Sequence, residues 1–145
     1  MLNSSRQEKT LTTSERLLAV AEKNYVTIDH FPMPTVKACE MQIGTQSFLN
    51  LDPGLSRTES LYALAHGLGH LVTGEMYNPY SAYDNYGKHE RRADEWAIRK
   101  VFPKAKIKKA ICSGCVEPWQ IAEEFGTSVE FATKALIYYK DKGAN

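Results

Sequence analysis

The chain has 145 residues, 43% of them hydrophobic, with 18 basic and 17 acidic side chains and a net charge of +1. That length and apolar content suit one domain with a real core. The balanced charge gives no reason to invoke nucleic acid or an anionic membrane as a partner.

No apolar run approaches the roughly 18 residues of a membrane span. The polar start MLNSSRQEKT lacks the apolar stretch of a secretory signal. Residues 1–12 read as a flexible lead and residues 13–145 as a single domain. Three cysteines, Cys39, Cys112 and Cys115, fit reduced thiols and a cytoplasmic location.

In chain order, Thr12 to Glu15 forms a capping-box pattern, and Leu17, Leu18 and Ala21 follow as a helical stripe. VTIDHF is short, β-branched and alternating, which predicts a strand. TVKACEMQIGTQSFLNL predicts two strands joined by a turn at Ile43-Gly44, and DPG turns the chain again. A second capping-box pattern, Ser56 to Glu59, opens a helix that runs to Gly74. EMYNPYSAYDNYGK, rich in Asn, Pro, Ser, Gly and Tyr, predicts a loop.

HERRADEWAIRKVF predicts a helix that stops at Pro103. KAKIKKAICSG predicts a short helix ending at Gly114, so the Cys112/Cys115 pair follows a helix and not the strand that a thioredoxin-like motif wants. A cysteine zinc site needs a second pair or histidines. These thiols therefore read as structural. EPWQIAEEF begins with Pro118 at an early helical position, and Thr127 or Ser128 caps the last helix, VEFATKALIYYK. One helix, a small sheet and then mostly helices give an α+β fold class.

The chemistry concentrates in LAHGLGHLVTG. His66 and His70 are one helical turn apart, so both rings leave the same face, the spacing of a metal pair. The flanking apolar residues make this helix largely buried, and burying two imidazoles without strong partners is costly. Glu90, at the start of ERRAD on the next helix, is the best third ligand. Asp94, four residues later, can accept the other N–H of a ligand histidine and fix its tautomer. His89 competes with Glu90 but should point a quarter-turn away, and His30 has no visible partner. Two imidazoles and a carboxylate suit Zn²⁺, with manganese or iron as alternatives.

LAHGLGHLVTGEMYNPYS, KHERRADEWAIRKVFP and EPWQIAEEFGTSVEFATKALIYY together resemble the ImmA/IrrE family of metallo-endopeptidases, over roughly Thr13 to Tyr139. The resemblance implies a zincin-like core with H-E-x-x-H on its active-site helix and a glutamate ligand on the next. It makes His66, His70 and Glu90 the zinc ligands, with Asp94 behind them. It also implies a protein substrate, a helix-turn-helix repressor of a mobile element, prophage or stress response.

One position departs from that pattern. Where the family carries the glutamate that takes the attacking water's proton, this chain has Gly67. A positioned acid–base group of this kind is worth ~10²–10⁴-fold. Nothing close in the sequence replaces it: Glu59 lies two turns earlier, Glu75 lies past the helix end, and Glu90 is taken by the metal. The family pattern has glycine at position 69, where close backbone approach is expected. No such reason is visible for Gly67, which costs ~1 kcal/mol in a helix interior.

The sequence thus predicts a zinc metallopeptidase by descent with its general base missing. One alternative is a non-catalytic zinc protein that sequesters a repressor. A third reading takes WQIAEEFGTSVEFATKAL as a DNA-binding helix-turn-helix. Its second helix offers Glu130, two lysines and a mostly apolar face, which favours packing over base readout. Tyr77, Tyr80, Tyr83 and Tyr86 read as packing or rim residues, with oxyanion stabilisation as the functional alternative. Lys88, Arg91 and Arg92 read as solvated.

Overall fold

The computed structural model describes residues 11–74 and 83–143. The lead before residue 11, and residues 75–82 of the tyrosine-rich segment with Tyr77 and Tyr80, lie outside these. Among the described residues the fold is α+β and mainly helical, with six helices and one three-stranded sheet.

Helix α1 (Thr13–Lys23) starts at Thr12, whose hydroxyl accepts the Glu15 amide at 3.1 Å. Its core face is narrower than the sequence stripe implied. Leu17 and Ala21, one turn apart, are buried, whereas Leu18, a quarter-turn round, is 46% exposed.

Strands β1 (Val26–Asp29), β2 (Ala38–Ile43) and β3 (Gln46–Leu51) form a sheet in the order β1-β3-β2. β3 runs parallel to β1 and antiparallel to β2, so β2 is an edge strand. The β2–β3 turn uses Gly44 at φ 61°, a left-handed conformation that glycine adopts without steric cost. Along β3, Ser47, Leu49 and Leu51 point into the core, the period of two expected of a half-buried strand.

Helix α2 (Arg57–Thr73) has a complete capping box: Ser56 Oγ accepts the Glu59 amide, and the Glu59 carboxylate accepts the Ser56 amide, each at 3.2 Å. Gly74 ends it at φ 71°.

Helix α3 (Tyr83–Val101) begins six residues before His89, so Tyr83 and Tyr86 belong to a helix and not to the expected loop. No proline lies within Tyr83–Val101, and Gly87 stays outside the left-handed region, so nothing breaks the backbone there. The tightly packed half from Ala93 to Val101 can then carry weak helix formers at the other end. Helices α4 (Lys104–Cys112), α5 (Pro118–Phe125) and α6 (Val129–Asp141) follow, with Ser128 capping α6.

One buried cluster joins residues of every helix with Val26 of β1 and Leu49 and Leu51 of β3. α2 lies between the sheet and α3, so its two flanks meet different neighbours. That placement decides what stands beside each residue of the histidine turn.

Candidate metal centre

α2 carries His66 and His70 on one face, one turn apart, and α3 packs along that face. Glu90 reaches back from the first half of α3, where Oε2 lies 2.8 Å from His66 Nε2 and Oε1 lies 3.0 Å from His70 Nε2. The two imidazole Nε2 atoms are 3.1 Å apart. Among the described residues, His66, His70 and Glu90 are the one group of His, Cys, Asp or Glu side chains whose donor atoms converge this closely. His89 and the Cys112/Cys115 pair do not join it, and His30 is exposed. His70 is 4% exposed, so its ring is committed to this interior.

The donor set fits a divalent cation. Donors ~2.1 Å from a tetrahedral ion stand roughly 3.4 Å apart, a few tenths of an ångström wider than these three, so small outward movements would admit one. The set is two imidazoles and one carboxylate, which leaves room for a further ligand.

Asp94 stands where the sequence spacing placed it. Its Oδ1 accepts from His66 Nδ1–H at 2.7 Å. In a neutral ring that bond favours the proton on Nδ1, the tautomer whose Nε2 lone pair can bind a metal. Burial opposes the charged form of His66. The hydrogen bond to Asp94, and the negative charges of Asp94, Glu90 and Glu40, outweigh burial and raise its pKa. Burial likewise opposes ionised Asp94, but hydrogen bonds from His66 and Tyr62 and the charges of His66 and Lys134 hold its pKa down at about 2.

Tyr62 and Lys134 were not legible as site residues. Tyr62, one turn before His66 on α2, donates its hydroxyl to Asp94 Oδ1 at 2.6 Å. Lys134, from α6, donates to Asp94 Oδ2 at 3.2 Å and to the Tyr62 oxygen at 3.1 Å. Burial and the Asp94 hydrogen bond push the Tyr62 phenol up to about 12, so it stays a donor. The i, i+4 spacing of Tyr62 and His66 was a visible signal. Lys134 gave none, because only the tertiary fold brings α6 to this place. On α6, Lys134 is engaged here and Phe131, Ala132, Ala135 and Tyr139 are buried.

The glycines of the histidine turn are explained by the two flanks of α2. A Cβ at Gly69 would lie 2.6 Å from the Ala93 carbonyl oxygen and 3.1 Å from Ala93 Cα, so its absence permits the close α2–α3 approach that brings Glu90 to the histidines. Gly67 faces the sheet, and the expectation that it has no packing reason is wrong. A Cβ there would lie 2.6 and 2.9 Å from the two methyls of Leu49 and 3.3 Å from Glu40 Oε1. A carboxylate distant in sequence also stands near Gly67. Glu59 is tied up in the helix cap and Glu75 lies outside the described residues, but Glu40 comes in from β2. A cleft of about 370 Å³ opens between β2, α2 and α6, with Glu40, Tyr62, His66, Phe131 and Lys134 among its walls.

No helix among the described residues is long and apolar enough to cross a membrane. No model of a known protein family matches the chain, and no curated protein matches it in sequence.

Proposed function

We propose that the chain is a zinc protein with a zincin-like, ImmA/IrrE-type endopeptidase centre, in which His66, His70 and Glu90 hold the ion. The observation that carries this reading is the convergence of the three donors with Asp94 hydrogen-bonded behind His66. Zinc held there would act as a Lewis acid and lower the pKa of a bound water.

The chain's own residues have separable tasks. Asp94 fixes the His66 tautomer. Tyr62 and Lys134 hold Asp94 in place and neutralise part of its charge. The outer edge of β2 is unpaired among the described residues, and such an edge can pair an extended peptide through backbone hydrogen bonds. That edge borders the cleft beside His66. A protein substrate is therefore favoured over a small metabolite, and the family resemblance makes it a helix-turn-helix repressor. The expected setting is the cytoplasm.

Gly67 supports a second reading, in which the same site binds a repressor without cutting it, because α2 itself carries no general base. Zinc-loaded protein mixed with a panel of purified helix-turn-helix repressors separates the two. Zinc-dependent binding with repressor masses unchanged supports sequestration, and zinc-dependent fragments support peptidase action. Neither across the panel contradicts the repressor reading.

A further inference from the structure

We propose that Glu40, on strand β2, supplies the general-base carboxylate that α2 lacks at Gly67. This assignment rests on the metal site and peptide substrate proposed above. Four observations meet at this residue. Its Oε1 lies 3.3 Å from where a Cβ of residue 67 would be, so it borders the space that a side chain at 67 would enter. Glu40 and Leu49 are direct partners in the β2–β3 register. Their side chains share one face of the sheet, and together they cover Gly67.

Glu40 also lines the cleft together with His66, at the edge where an extended peptide would lie. Finally, its carboxylate makes no hydrogen bond or ion pair with any described residue, unlike Glu59, Glu90 and Asp94. Glu40 is not one of the three converging donors, so it stands beside the metal group and not in it. Glu40 is half-buried, and its charge acts on His66, one of the three converging residues.

The step balances without a further reactant. A water proton moves to a Glu40 oxygen as the water oxygen bonds to the peptide carbonyl carbon. The C–N bond then breaks, its electron pair leaves with nitrogen, and Glu40 returns the proton to that nitrogen. One peptide bond and one water become an acid and an amine, and Glu40 ends ionised as it began.

The test compares the full chain with Glu40→Gln, both loaded with zinc or cobalt. Three quantities are read: metal content, the affinity for acetohydroxamate followed by cobalt absorption, and cleavage of a randomised peptide pool followed by mass spectrometry. Metal content should be equal. Hydroxamate, which chelates the metal and donates a hydrogen bond to the neighbouring carboxylate, should bind ~10-fold more weakly to the variant, the size expected for one charge-assisted hydrogen bond. Cleavage should fall ~10²–10⁴-fold. Equal hydroxamate affinity, equal cleavage, or a zinc-loaded wild type that leaves the pool intact overturns the role of Glu40 while the metal site stands. A wild-type chain that takes up no metal overturns the underlying metal reading instead.

Discussion

At the scale of single residues, Gly67 and Leu49 form a matched pair. Alanine at 67 would gain ~1 kcal/mol of helix propensity but would drive its Cβ into methyls of a side chain that is fully buried. Overpacking of this kind costs ~1–3 kcal/mol. Gly67→Ala should therefore destabilise the protein by ~1 kcal/mol in urea unfolding. Leu49→Ala alone should cost ~2–5 kcal/mol. The two are in contact, so they should not add: in the Leu49→Ala background, Gly67→Ala should become neutral or stabilising. Simple additivity would show that Leu49 is not what keeps residue 67 small. The same packing bears on restoring a glutamate at 67, which would have to displace both Leu49 and the Glu40 carboxylate.

The converging side chains were legible because their geometry is local. His66 with His70, and Glu90 with Asp94, are i, i+4 pairs, and helix periodicity alone puts each pair on one face. Glu40 had no such signal. Its strand and its inward direction follow from alternation, but the register that sets it against Leu49, and the packing of the sheet on α2, are tertiary.

At the scale of elements, the site depends on how closely α2 and α3 approach. Gly69 sits against the backbone of Ala93, three residues beyond Glu90, and backbone cannot move aside as a side chain can. Gly69→Ala should cost ~2–3 kcal/mol or more, at the upper end for overpacking. It should also weaken zinc binding, because separating the helices draws Glu90 away from His66 and His70. A variant with full zinc affinity would show that the close approach does not set the ligand geometry. Helix starts and stops were largely readable from capping residues, with Ser56, Gly74, Pro118 and Ser128 where local chemistry put them. The start of α3 was not, because turn-forming residues there are overridden by a helix anchored through its packed second half.

At the scale of the molecule, three layers meet at one histidine. The sheet brings Glu40 and Leu49 to one flank of α2, α3 brings Glu90 and Asp94 to the other, and α6 adds Lys134 from further along the chain. The α+β class followed from the order of elements, but which flank of α2 meets which neighbour did not, since periodicity names a buried face without naming its partner.

The central claim is that this arrangement holds zinc. It is tested most directly by elemental analysis of protein purified without added metal, beside Glu90→Ala. About one zinc per chain in the wild type, lost in the variant while both stay folded, is the expected result. No metal in either protein, or equal metal in both, would contradict it.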